Sequence, residues 1–266
     1  MSKIEIRDLK LIYTTDKTEF LALEDINITV EDGEFVCVIG SSGCGKSTLL
    51  SVLEGLIPPS AGEVLIDGLP INGTGPERAV VFQQYTLFPW MTAKQNVVFG
   101  MKQVRNDLSG RQFDTVAEEF LRRVGLTEFM DKLPGELSGG MQQRVAIARA
   151  LSVNPKILLM DEPFGAIDAK TRVVLQEMLL KLWADDAEKK TVVFVTHDID
   201  EALLLSDKIV FMQPRRVSRE IPVNLPRPRS KESLYDNEEY RSLRAQLVGL
   251  FYHNVTEQIG GEEVVL

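Results

Sequence analysis

The chain has 266 residues, 44% of them hydrophobic and 26% charged, which is enough apolar material for a full core in an ordinary globular protein. A formal net charge of -9 argues against a protein that coats nucleic acid nonspecifically. The two cysteines, Cys37 and Cys44, make no disulfide framework, so a reducing compartment is expected; there is no apolar leader and no run of eighteen apolar residues, so association with a membrane would require a partner.

In chain order, Ile4/Ile6 and Ile26/Ile28/Val30 alternate with polar residues and read as strands of a sheet with one wet face. The turn "EDGE" (Glu31 to Glu34) leads into the apolar run Phe35 to Ile39, a strand covered on both sides. A helix with Leu49, Val52, Leu53 and Leu56 on one face follows, then short strands at Val64 to Ile66 and Ala79 to Phe82. From Thr92 to Leu151 the pattern is helical. Thr92 and Gln95 have capping-box spacing, and the stripe Phe113, Val116, Phe120, Leu121, Val124 closes at Gly125. Strands return at Ile157 to Met160, Val192 to Val195 and Ile209 to Met212, with a helix carrying Leu175, Met178, Leu179 and Leu182 among them.

Strands alternating with helices predict an α/β fold with a mostly parallel sheet, preceded by an antiparallel β-subdomain and interrupted by a helical subdomain at about residues 88–152. The main domain is expected over residues 1–212, and residues 213–266 as a short strap, "RRVSREIPVNLPRPRS", with a final helix on Tyr240, Leu243, Leu247, Leu250 and Phe251.

Two stretches read as seats for phosphate. Gly40-Ser41-Ser42-Gly43-Cys44-Gly45-Lys46-Ser47 matches G-x-x-x-x-G-K-[ST] between a buried strand and a helix, with Thr48 continuing the loop. Such glycines let successive N–H groups converge on the α/β-phosphates, while Lys46 reaches the β/γ-phosphates and Ser47 ligates Mg²⁺. The Cys44 side chain can point out of the loop while its backbone takes part. The second seat is Ser138-Gly139-Gly140, at the start of a helix marked by Val145, Ala148 and Leu151. Between them in function stands "ILLMDE": an apolar strand ending in Asp161, a candidate Mg²⁺ ligand, and Glu162, a candidate general base for an attacking water. Another buried strand ends at His197, read as a γ-phosphate contact because the same sheet edge carries the other groups. His253, in the tail, has no such setting and reads as a surface or packing residue.

In this order the motifs resemble those of the ATP-binding subunit of an ABC transporter, a P-loop NTPase, and the likeness covers most of the chain. "LSGGMQQR" is similar to the ABC signature, its most specific element, with Met141 where many members have Gln. The resemblance implies that Gln83 in "VVFQQY" is the Q-loop glutamine sensing Mg²⁺ and the attacking water, that Asp168 in "GAID" belongs to the D-loop at the nucleotide, and that Tyr13 stacks on adenine. It also implies ATP and Mg²⁺ as substrate and cofactor, and a head-to-tail pair of ATP-binding subunits, a homodimer, in which each signature closes over the other's P-loop. The two seats would then serve one ligand, in different copies.

Further partners implied are integral membrane permease subunits and, indirectly, an extracytoplasmic solute-binding protein, with the chain peripheral on the cytoplasmic face of the membrane and no nucleic acid bound. Leu87, Phe88 and Trp90 in "YTLFPWM" are available for permease helices, or simply pack the helical lobe. "QQYTLFPWMTAKQNV" and "VNLPRPRS" look most like the nitrate, sulfonate and taurine importer branch. A soluble ABC-type ATPase working on nucleic acid or ribosomes, and the ATPase subunit of an exporter, are the alternatives. The absence of coiled-coil insertions, zinc cysteines and a second cassette weighs against the first.

Overall fold

The structure, a computed structural model, describes residues 2–15 and 18–260; side chains are described for these except residue 2 and residues 253–260, so the side chain of His253 lies outside the described set. The chain divides into two compact units, Met1–Leu53 with Ile57–Asn72 and Phe194–Leu266, and Glu54–Leu56 with Gly73–Val193.

The first unit opens with β1 (Ser2–Thr14) and β2 (Glu19–Glu31), paired antiparallel with Ile4 opposite Val30 and Ile6 opposite Ile28. Ile26, Ile28 and Val30 are buried and the residues between them exposed, so the period-2 pattern in the sequence fixes which face meets the core. β3 (Phe35–Gly40) is buried along its whole length, as its unbroken apolar run requires. It feeds α1 (Lys46–Glu54). Leu56, expected on the buried face of this helix, lies beyond its end and is exposed. The helix stops because Gly55 takes φ 78°, where a Cβ would run into the carbonyl of Gly73. β4 (Ala61–Ile66) and the short β5 (Leu69–Pro70) complete an antiparallel sheet in the order β2-β1-β4-β5.

The second unit contains β6 (Arg78–Val81), α2 (Ala93–Val104), α3 (Gln112–Arg123), α4 (Gly139–Ser152), β7 (Ile157–Asp161), α5 (Ala169–Ala184) and the start of β8 (Thr191–Val195). β6 and β7 run parallel, with Arg78 opposite Ile157 and Val81 opposite Met160. The capping box of α2 forms as read: Gln95 N–H donates to Thr92 Oγ1 at 3.2 Å and Thr92 N–H to Gln95 Oε1 at 2.9 Å. α4 packs against both α2 and α3, burying Val145, Ile147 and Ala148.

Within β8 the chain returns to the first unit, which continues with α6 (Ile199–Leu205), β9 (Lys208–Gln213), β10 (Arg216–Pro222), α7 (Lys231–Tyr235) and α8 (Glu238–Gly260). β9 pairs parallel with β3, whereas β10 pairs antiparallel with β9. The expected strap is therefore a sheet-edge strand over its first half. Pro214 and Arg215, the latter at φ 73°, make the tight turn that folds it back. The second half is fastened by Arg229, which is buried and donates to the carbonyls of Leu203, Ser206, Val223 and Leu225. Burial and the neighbouring Arg227 push this guanidinium down to about 10, so it stays charged at neutral pH.

Candidate functional site

In the first unit the P-loop is shaped from below by β9 and β2. A Cβ on Gly40 would run into the carbonyl of Met212, and one on Gly45, at φ 113°, would stand 2.7 Å from Leu23 Cδ2. The turn between β9 and β10 adds a clasp, Arg215 N–H donating to the Cys44 carbonyl at 3.0 Å. Lys46 is only 6% exposed, and its Nζ donates to the carbonyls of Gly40 and Ser41, each at 3.0 Å. The loop thus turns carbonyls toward its lysine and leaves Ser42, Gly43 and Ser47 at the surface. Ser41 Oγ is buried with no hydrogen-bond partner among the described residues, which is costly unless a ligand atom serves it.

Cys44 does not point out of the loop as expected. Its side chain is buried beneath it, Sγ 4.0 Å from Lys46 Nζ, and burial pushes the thiol up while Lys46 opposes that shift. The wrap that exposes the N–H edge of the loop turns this side chain inward. His197 lies at the exposed end of β8 beside β3, since Thr196 N–H donates to the Val38 carbonyl at 3.1 Å. Tyr13 is half exposed on β1, opposite the still more exposed Phe20, on the hairpin whose Leu23 abuts Gly45. Phe20 is a second apolar ring on that hairpin that periodicity alone did not single out.

In the second unit two loops meet. A Cβ on Gly165 would lie 3.3 Å from Gln83 Nε2 and 3.7 Å from Glu162 Oε2, so the amide and the carboxylate converge on one backbone position. Glu162 sits at φ 41°, a left-handed conformation that a non-glycine residue adopts at a cost of roughly 1–2 kcal/mol, and its carbonyl accepts from Gly165 N–H at 3.0 Å. This sharp turn at the end of β7 separates the directions of Asp161 and Glu162. Glu54, which the sequence pattern did not flag, is buried near Asp161; desolvation first, and then the Asp161 charge, push its carboxyl up to about 7.

The signature end of α4 is built on the same unit. Ser138 is the N-cap, its Oγ accepting from Met141 N–H at 3.3 Å, which leaves the hydroxyl proton to donate outward. The Met141 contribution here is its backbone N–H, which does not depend on the side chain. Gly139 lies under Tyr85, whose hydroxyl oxygen would be 2.7 Å from a Cβ there, and Gly140 lies against the Thr171 methyl. Thr171 belongs to the first turn of α5, capped by Asp168 at 3.0 Å; the backbone N–H groups it accepts hold the Asp168 carboxyl below its ordinary range. Among the described residues no group of three or more His, Cys, Asp or Glu side chains could hold a metal by itself.

The stretch after Gln83 lines a cavity of about 600 Å³ whose walls include Thr86, Phe88, Phe99, Gly100, Val104 and Arg149. Trp90 is 70% exposed and its ring centroid is 5.6 Å from that of Phe88, which in turn meets Phe99 at 4.6 Å. Arg149 donates to the Thr86 carbonyl at 2.9 Å and to its hydroxyl at 3.1 Å, holding Thr86 at φ 46°.

The ABC transporter family profile matches residues 23–165, more than half of the chain. The chain belongs to the ABC transporter family. It is 45% identical over 243 residues to the nitrate import ATP-binding protein NrtD of Synechococcus elongatus, covering 90% of this chain and 88% of that one. To the bicarbonate transport ATP-binding protein CmpD of Synechocystis it is 43% identical over 253 residues, 94% of this chain and 89% of that one. Among solved structures it resembles the dimeric ATP-binding cassette MJ0796 in a post-hydrolysis state bound to ADP and Pi, with TM-score 0.73, 35% identity and coverage of 84% of this chain and all of that one. An ABC cassette of this family has the α/β P-loop NTPase fold, binds ATP and couples its hydrolysis to transport. The matched segment runs from β2 through the P-loop, Gln83, the signature and Glu162 to Gly165, and stops short of Asp168 and His197, whose placement rests on the geometry above. No helix among the described residues is long and apolar enough to cross a membrane.

Proposed function

We propose that the chain is the Mg²⁺-dependent ATP-hydrolysing subunit of an importer, bound at the cytoplasmic face of the membrane to integral permease subunits, and energising uptake of a small solute of the nitrate, sulfonate, taurine or bicarbonate kind. The observation that carries the catalytic part is the convergence of Gln83 Nε2 and Glu162 Oε2 on Gly165. A carboxylate that takes a proton and an amide that donates beside it are the two groups needed to orient and activate a water. The relatives' import functions support the solute class.

In this reading the P-loop N–H groups and Lys46 bind the phosphates, and the unpartnered Ser41 Oγ takes one further oxygen. Ser47, Asp161 and Gln83 would hold Mg²⁺, which supplies charge neutralisation at the β- and γ-oxygens when bound. Glu162 accepts the water's proton, His197 donates to the γ-phosphate, and Tyr13 presents a face to adenine. Ser138, Gly139 and Gly140 of a second copy close the site, their N–H groups and hydroxyl facing the γ-phosphate; Asp168 caps α5 beside that glycine pair. The aromatic cavity beside Phe88, Trp90 and Phe99 receives a permease helix.

Two substitutions test the assignment. Glu162→Gln should bind ATP normally while turnover falls about a hundred- to ten-thousandfold. Lys46→Ala should weaken binding itself, as read by titration with a fluorescent nucleotide. Normal hydrolysis by both variants would overturn the site. For the solute, ATPase stimulation of the complete transporter by nitrate, taurine, an alkanesulfonate and bicarbonate should single out one of these solutes. Stimulation by none of them, with a cation or sugar active instead, would overturn the class.

A further inference from the structure

The reaction proposed above gives the C-terminal helix no task, yet α8 is tied to the segment that carries His197. The Tyr240 hydroxyl donates to Asp200 Oδ1 at 2.8 Å, and Arg244 Nε donates to the same oxygen at 2.7 Å. Asp200 lies in the first turn of α6, two residues beyond the N-cap Asp198, whose carboxylate accepts from Glu201 N–H at 3.0 Å. Asp198 N–H in turn donates to Thr196 Oγ1 at 3.1 Å, and Thr196 N–H to the β3 carbonyl of Val38 at 3.1 Å. His197 is therefore the single residue between two anchored neighbours. One anchor is β3; the other is the start of α6, and α8 holds that start in place.

The contact face of α8 is continuous. Tyr240, Arg244, Leu247 and Phe251 follow at intervals of four, three and four, one stripe of a helix. Tyr240 and Leu247 are buried, and Phe251 meets Phe211 of β9 edge-on at 5.0 Å. The residue after Phe211 is Met212, whose carbonyl backs Gly40. The helix thus bears on α6, which follows His197, and on β9, which backs the first glycine of the P-loop.

We propose that Asp200, Tyr240 and Arg244 are positioning residues for His197, so that α8 sets the placement of the imidazole for ATP hydrolysis. This rests on the reading of His197 as a γ-phosphate contact. Two arms of one experiment separate the two claims. The chain has two histidines, so the His197 imidazole signal in the proton spectrum of the full-length protein is assigned by its loss in His197→Ala. In the nucleotide-free full chain, Tyr240→Phe and Arg244→Gln should shift or broaden that signal, with Arg244→Lys restoring it in part. Tyr240→Phe keeps the buried ring, and a melting curve confirms the fold.

In steady-state assays both substitutions should lower kcat about three- to tenfold and leave KM for ATP unchanged, the pattern of an interaction that matters in the transition state. In a His197→Ala background their effect should shrink to less than about twofold, because residues acting through one group are not additive. An unmoved His197 signal overturns the positioning role, as does an equal loss of kcat with and without His197. A fully active His197→Ala overturns the underlying reading of His197 instead, whatever the spectra show.

Discussion

At Gly45, chemistry and conformation demand the same residue. Its φ of 113° is open to glycine and strained for any other residue, and an added Cβ would meet Leu23 at 2.7 Å and the Ala22 carbonyl at 3.2 Å. Gly45→Ala should therefore distort the loop and weaken ATP binding at least about tenfold, the effect of roughly 1.4 kcal/mol of misplacement, with little change in global stability beyond about 1–3 kcal/mol. Isothermal titration against ATP and a urea melt separate the two effects, and unchanged affinity would contradict the picture. The loop between β3 and α1, the strand end at Asp161 and the Ser138 cap were legible in the sequence because each is a local pattern whose shape lies in adjacent residues. Glu54 was not. Its buried place beside Asp161 is a contact across more than a hundred residues, and its own neighbourhood reads as an ordinary helix end. The inward turn of Cys44 is hidden from the sequence for a related reason: which way a side chain leaves a loop depends on the tertiary wrap, here Met212 below and Arg215 alongside.

At the scale of elements, periodicity was a sound guide wherever one face is buried. β2 alternates, β3 does not, and both patterns match what covers them. It failed where termination decides the outcome. Leu56 continues the apolar spacing of α1, but the Gly55 turn ends the helix first. β10 reads as a strap in the sequence because "RRVSREIP" alternates weakly and presents polar residues, as an edge strand does; only pairing with β9 identifies it. The strap beyond it depends on Arg229. Five hydrogen bonds run from this one guanidinium to four carbonyls. Arg229→Met keeps the stem and strands those acceptors, so stability should drop by about 3 kcal/mol in urea unfolding, with hydrogen-exchange protection lost first between Val223 and Ser230. A loss below about 0.5 kcal/mol would show that the carbonyls are served without it.

For the whole molecule, the family and its α/β architecture were legible from motif order, because each chemistry-bearing residue lies at the end of a strand or the start of a helix. What a single chain does not spell out is the second copy. In the proposed reading Ser138, Gly139 and Gly140, at the start of α4 and close to Tyr85 and Thr171 of their own chain, are one anion seat, and the loop of residues 40–47 is a second. Two seats per chain and one triphosphate per site would be reconciled by copies that pair head to tail; the similar cassette MJ0796 is itself a dimer in its ADP- and Pi-bound state. Removing Mg²⁺ with a chelator should then stop hydrolysis and leave nucleotide bound at the P-loop, a separation that equilibrium dialysis with labelled ATP reads directly.

The pairing itself is best tested by sedimentation velocity of the full-length Glu162→Gln protein with and without ATP. The account predicts a monomer that becomes a dimer holding two nucleotides when ATP is added, remains monomeric with ADP, and no longer pairs when Gly139→Arg blocks the signature seat although each copy still binds ATP. A protein saturated with ATP that sediments as a monomer throughout would contradict it.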